Sequence, residues 1–203
     1  MLITTKGGNA GKVHIYVDGE YSLTVDLKFW QSLGIAEKTE LDDEQLEQLT
    51  KVIGVRRAFN KGMSLLVSRE HSRMEIIRKL KEKGFAEYAE EAADELVDCG
   101  YINEERFCEV YIRQLIESKH YGKKRILDEL RNKGISSSLA SAALEEFELD
   151  PVSDILGLLH GKLSRYTNDE KGVEKCYNTL IRYGYSPSDI RRGFDVLKDG
   201  EDV

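Results

Sequence analysis

Proline is nearly absent, with Pro151 and Pro187 the only two in 203 residues. Because proline removes a backbone donor and breaks helix interiors, its scarcity leaves long stretches free to be helical. Cysteine is almost as sparse. Cys99, Cys108 and Cys176 make an odd count with no Cys-x-x-Cys pair, which argues against a disulfide framework and leaves reduced thiols at small apolar helix positions. The four histidines, His14, His71, His120 and His160, never stand three or four residues apart, so no metal site is expected from them. No apolar run approaches the roughly 18 residues of a membrane span, and residues 1–12 are polar and glycine-containing rather than signal-like. The cytoplasm is therefore the expected location. Catalytic signatures are lacking as well: there is no Gly-x-Ser-x-Gly, no paired-His helix and no suggestive Ser, His and Asp set. An enzyme is the least expected class, and no cofactor is expected.

Net positive charge is also missing. The formal charge is -7, which argues against indiscriminate nucleic-acid binding, since phosphate neutralisation needs a cationic surface. The distribution says more than the total. Residues 1–50 carry four Lys against nine Asp and Glu, residues 56–83 nine basic against three acidic, residues 87–109 one against nine, and residues 119–133 six against two. Two positive segments are thus hidden inside an acidic chain.

What is present begins with strands. Val13, Ile15 and Val17 point one way, Asp18-Gly19 supplies a tight hairpin turn, and Tyr21, Leu23 and Val25 resume the alternation. Residues 2–5 can add a third strand. Phe29, Trp30 and Leu33 then mark a short helix ended by Gly34, and Asp42 with Gln45 has the spacing of a capping box. The segment Gly7-Gly8-Asn9-Ala10-Gly11-Lys12 fails as a phosphate-binding loop: it is one residue short, Val13 replaces the required hydroxyl residue, and a strand follows it.

From about residue 50 the chain repeats itself every 50 residues. Laying residues 72–97 over 122–147 gives identities at Ile76/Ile126, Leu80/Leu130, Lys83/Lys133, Gly84/Gly134, Ala92/Ala142, Ala93/Ala143 and Glu95/Glu145, and a further step reaches Cys176, Leu180, Gly184 and Tyr185. Each unit reads as three helices. Gly84, Gly134 and Gly184 stand where a left-handed C-cap closes the middle helix, and Phe85, Ile135 and Tyr185 can fold back onto its last turn. Asn103, Ser136, Asp150 and Ser186 are N-caps, each contributing about 1 kcal/mol. The expected organisation is mainly α: an N-terminal β-hairpin with short helices over residues 1–50, then three-helix repeats over 51–99, 100–149 and 150–203, stacked as an elongated, curved solenoid with Leu115, Ile116, Leu156 and Leu159 at the seams.

The two positive segments fall on equivalent middle helices. The candidate contact residues for an acidic partner or a phosphate backbone are Arg69, Arg73, Lys79 and Lys83 in the first repeat, and Lys119, Lys123, Lys124, Arg125 and Lys133 in the second. The plainer alternative is helix-surface pairing, such as Glu75 with Lys79 at i, i+4. The run Glu90, Glu91, Asp94 and Glu95 reads as a solvated helix face. Tyr88, Tyr101, Tyr121, Tyr183 and Tyr185, near helix ends, are expected to pack rather than to bind.

These residues also carry a family resemblance. Arg69-x-x-Ser72-x-x-Glu75, Leu80-x-x-Lys83-Gly84-Phe85, Gly100-Tyr101-Ile102, Arg106-Phe107 and Gly122-x-x-Arg125-Ile126-x-x-Glu129-Leu130-x-x-Lys133-Gly134-Ile135 together resemble the RecX family. The resemblance implies a monomeric, non-enzymatic regulator that binds RecA recombinase filaments on single-stranded DNA. It further implies lowered ATPase, strand-exchange and co-protease activities in DNA repair and the SOS response, with only weak direct contact to DNA. A direct DNA-binding helix-turn-helix protein and a scaffold for another helical partner are the alternatives.

Overall fold

The computed structural model describes residues 1–167 and 169–201. The order is β1 (Leu2–Gly7), β2 (Lys12–Val17), β3 (Glu20–Asp26), α1 (Leu27–Ser32), β4 (Thr39–Glu40), α2 (Asp43–Leu66), α3 (Arg73–Glu82), α4 (Ala89–Asp98), α5 (Glu104–Glu117), α6 (Lys123–Asn132), α7 (Ser137–Glu145), α8 (Pro151–His160), α9 (Glu170–Tyr183) and α10 (Pro187–Glu201), with a 3-10 turn at Ser164–Tyr166. The chain divides into two compact units. One holds Met1–Arg69 with Ile76–Tyr101, and the other holds Glu70–Glu75 with the chain from Ile102 onward.

In the first unit the strands form one antiparallel sheet in the order β3-β2-β1-β4. Asp18 and Gly19 both have positive φ, 49° and 87°, the mirror-image turn whose twist matches that of its strands. Asp18 also accepts the Leu2 amide at 2.7 Å. A register shift lies beyond the turn: Ile15 pairs with Leu23 but Tyr16 with Tyr21, leaving Ser22 as an extra residue. This bulge turns Tyr21 to the face opposite Leu23, where it is 60% exposed and meets Tyr16 edge-on. The expectation that Tyr21 shares the row of Leu23 and Val25 is corrected on that account. Ile3, Val13, Ile15, Val25, Trp30, Leu49 and Ile53 close the core between sheet and helix. Helix α2 opens on the full Asp42–Gln45 capping box and runs 24 residues without a break through residue 50.

Three middle helices end alike. Gly84, Gly134 and Gly184 have φ of 85°, 83° and 91°, and the next amides, Phe85, Ile135 and Tyr185, donate back to the carbonyls of Leu80, Leu130 and Leu180 at 3.0, 3.1 and 3.2 Å. Each is a Schellman turn, which answers the last unpaired carbonyls of a helix. The N-caps Asn103, Ser136, Asp150 and Ser186 all accept an amide three residues on. In the second unit α5, α6 and α7 share one core around Ile112, Ile126 and Leu130, and α8, α9 and α10 share another around Ile155, Leu180 and Ile190. Leu115 and Ile116 belong to the first of these cores, Leu156 and Leu159 to the second. Their expected place at seams is corrected: each helix turns its widest apolar stripe to its own repeat, which must cover that area first.

Candidate interaction surface

The junctions within the second unit are made largely of backbone and polar groups instead. Ahead of α6, the Gly122 amide donates to the Tyr183 carbonyl at 2.8 Å and the Lys124 amide to the Gly184 carbonyl at 3.3 Å. The Tyr185 hydroxyl donates to the His120 carbonyl at 3.0 Å, and Tyr121 meets Tyr183 edge-to-face. Fifty positions earlier, the Ser72 hydroxyl donates to the Lys133 carbonyl at 2.7 Å. Ser72 corresponds to Gly122 and Lys133 to Tyr183, so one contact is made twice, once by a side chain and once by an amide.

Beside the Ser72 contact lies a polar network. Glu75, only 4% exposed, takes the Lys133 ammonium at 2.5 Å, and that ammonium also sits over the Tyr111 ring. The Tyr111 hydroxyl donates to Glu129 at 3.4 Å, and Glu129 in turn holds Arg125 at 2.6 Å. Glu75 thus makes a tertiary ion pair with Lys133, where pairing with Lys79 along the helix surface was the plainer alternative. A buried carboxylate needs a partner in the same low dielectric, and Lys133 supplies it. Burial, then the Glu129 and Glu75 charges, push the Tyr111 phenol up to about 12. An ordinary tyrosine ionises near 10, so between about pH 10 and 12 the unfolded chain releases this proton while the folded chain keeps it, and stability falls across that window. An absorbance titration at 295 nm is expected to show late-ionising phenols, Tyr111 and the more deeply buried Tyr185 among them, in step with unfolding.

The candidate cations divide accordingly. Lys133 is held by Glu75. Arg125 is half-buried, ion-paired to Glu129 and stacked over Tyr121, with its Nε buried and lacking an acceptor among the described residues. Lys119, Lys123 and Lys124 are exposed, as are Arg69 and Lys83, while Arg73 and Lys79 are half-buried. Lys123 and Lys124, in the first turn of α6, also border a groove of about 780 Å³ whose walls include Leu127, Phe147, Leu149 and Tyr185, with Asp154 and Asp189 on its rim. Exposed Lys81 pairs with Glu90 and Lys51 with Glu91, consistent with the solvated-face reading of that acidic run.

Sequence reasoning missed the buried polar set His71, Ser72 and Glu75. The Ser72-x-x-Glu75 spacing was the available signal, because the Glu75 amide does donate to the Ser72 hydroxyl at 3.2 Å. Burial raises the Cys108 thiol to about 11 and pushes Cys176 up as well, which makes both poor nucleophiles near neutral pH. Among the described residues no three His, Cys, Asp or Glu side chains gather as a metal would require, and no helix is long and apolar enough to cross a membrane.

A small N-terminal sheet followed by tandem three-helix modules with surface lysines defines a helical-repeat protein. Comparison with known proteins narrows this. Residues 58–98 match the model of the first RecX three-helix domain and residues 103–144 that of the second. The chain is 32% identical over 146 residues to Regulatory protein RecX of Legionella pneumophila, covering 70% of this chain and 95% of that one. It is 26% identical over 199 residues to Regulatory protein RecX of Caldanaerobacter subterraneus, covering 97% of this chain and all of the relative. A crystal structure of regulatory protein RecX superposes with a TM-score of 0.73 at 25% identity, over 95% of this chain and 97% of that one. The chain belongs to the RecX family of regulatory proteins.

Proposed function

We propose that the protein is a non-enzymatic, monomeric, cytoplasmic regulator that binds RecA filaments on single-stranded DNA and lowers their ATPase, strand-exchange and co-protease activities. Membership of the RecX family is the observation that carries this reading. The modules, taken as 51–99, 100–149 and 150–203, each offer contacts of their own, and several weak contacts on one polymer add through effective concentration. Affinity for assembled filament then exceeds affinity for a free subunit. Arg69, Arg73, Lys79, Lys83, Lys119, Lys123 and Lys124 supply the contact charge, whereas Lys133 and Arg125 chiefly hold the second unit together.

RecA ATPase on single-stranded DNA, measured with and without this protein, tests the reading; unchanged turnover at stoichiometric amounts counts against it. Lys123→Ala with Lys124→Ala is expected to weaken inhibition several-fold while leaving helical content and melting unchanged, since both side chains are exposed. Adding Arg125→Ala is expected to lower the melting temperature as well, because that guanidinium is tied to Glu129 and Tyr121.

A further inference from the structure

The geometry points to a phosphodiester-binding cleft in the N-terminal unit, formed by one face of α2 and the edge of β2–β3, that takes single-stranded nucleic acid without RecA. The cleft has a volume of about 330 Å³, and its lining includes Lys12, Arg56, Arg57, Asn60, Lys61 and Phe85. Arg57 and Lys61 stand one turn apart along α2, with Arg56 and Asn60 beside them, so one surface presents a row of donors.

Two observations set this row apart from an ordinary solvated helix face. First, most of the row forms no ion pair, although Asp26 and Glu95 lie near enough to Arg56 to feel its charge. Lys12 is held by Asp26 at 2.6 Å, but Arg56, Arg57 and Lys61 have no carboxylate within ion-pair distance among the described residues. The Arg56 guanidinium is fixed by aromatic faces instead, 5.3 Å from the Phe29 ring centre and 5.2 Å from that of Phe59, and its Nε is buried without an acceptor among the described residues. A cation held by rings keeps its charge available to a ligand. Second, the carboxylate and the threonine hydroxyl that line the cleft are already engaged. Asp26 receives Lys12 and the Asn60 amide, and Thr24 bonds His14.

That second point selects the ligand. An acidic peptide brings a backbone N–H with each residue and needs acceptors beside the cations. A phosphodiester brings only acceptors, which suits a donor row, and half-buried Phe85 offers an apolar face to a sugar or base. The surrounding acidity, nine carboxylates against four lysines in residues 1–50, confines favourable contact to this cleft. Lys12, the last residue of the glycine-rich segment that fails as a nucleotide loop, lies at its margin.

Fluorescence anisotropy of a labelled oligothymidylate, titrated with the full chain in the absence of RecA at a series of salt concentrations, tests the proposal. Arg57→Gln with Lys61→Gln is expected to lower affinity at least about tenfold at low salt and to flatten the dependence of log K on log salt by about 0.7 per cation removed. Arg57→Lys with Lys61→Arg retains binding, and Lys162→Gln with Lys171→Gln, two exposed lysines far along the chain from α2, leaves it unchanged. Absence of binding by the parent chain at low salt, equal affinity of the first double variant, or an equal loss for a polyglutamate probe each overturns the proposal. The last result identifies an acidic protein as the occupant. Because no RecA is present, failure here is distinguishable from failure of the RecA reading.

Discussion

Replacing Gly184 by Ala is expected to destabilise the protein by about 3 kcal/mol, and the same change at Gly84 by only about 1 kcal/mol. Both residues lie in the left-handed region, at φ of 91° and 85°, where a Cβ costs about 1–2 kcal/mol. Their surroundings then separate them. A Cβ on Gly84 meets nothing within 4 Å, whereas one on Gly184 lies 2.3 Å from the Arg125 amide nitrogen and 2.9 Å from its Cα. Backbone inside a helix cannot step aside as a side chain can, so the junction of α6 with the α9 turn has to open. Overpacking of this kind adds about 1–3 kcal/mol. Gly134 falls between them, because a Cβ there meets the Met74 Cβ and Sδ at 2.7 Å; the sulfur can swing away, while the Cβ moves only with a small shift of the first turn of α3. Denaturant unfolding of the three alanine variants checks the order. Equal losses at all three positions would mean that strain in the turn, not close approach, sets the cost.

Lys133→Met is expected to cost about 1.5–3 kcal/mol, the loss of a charge-assisted hydrogen bond to a buried carboxylate. Glu75 is 4% exposed and the Lys133 side chain 24%, so water cannot take over the lost interaction cheaply. The loss amounts to a large fraction of the 5–15 kcal/mol by which a domain is typically stable. Pairing it with Glu75→Leu is expected to recover much of it, since replacing both members of a buried pair by apolar groups is often nearly neutral. Melting curves of the two single variants and the double variant measure the coupling. Additive losses would show that the two side chains act separately.

The family pattern includes Ser72, Glu75, Lys133 and Gly134, and the structure shows why residues so far apart in sequence can act together. Helix ends were legible because their chemistry is local: Asn103, Ser136, Asp150 and Ser186 each cap within three residues, and the glycine turns each close within six. The hairpin was legible for the same reason. Partnerships across long separations were not. Glu75 and Lys133 stand 58 residues apart, and nothing near Glu75 distinguishes a tertiary partner from Lys79 one turn on. Strand β4 has two residues, too few to display alternation, and the bulge at Ser22 breaks a row that single-sequence periodicity assumes continuous. Helix α2 crosses residue 50 because its Asp42 cap, rather than the start of the repeat, fixes where it begins. Among the candidate site residues, sequence located the cations but could not divide exposed Lys123 and Lys124 from Lys133, whose charge is held by Glu75. That division depends on which face is buried.

The junction around the glycine turns also bears on how such a chain can grow. A 50-residue block contains a donor just ahead of its middle helix and an acceptor at the carbonyl preceding its closing glycine. The second block therefore offers Gly122 to the Tyr183 carbonyl of its successor and the Lys133 carbonyl to Ser72 ahead of it. Tandem duplication of a gene segment encoding one block copies both halves of the fastener at once. The new copy can dock on its parent before any complementary surface has evolved, and the facing side chains are then free to diverge, as Lys133 and Tyr183 have.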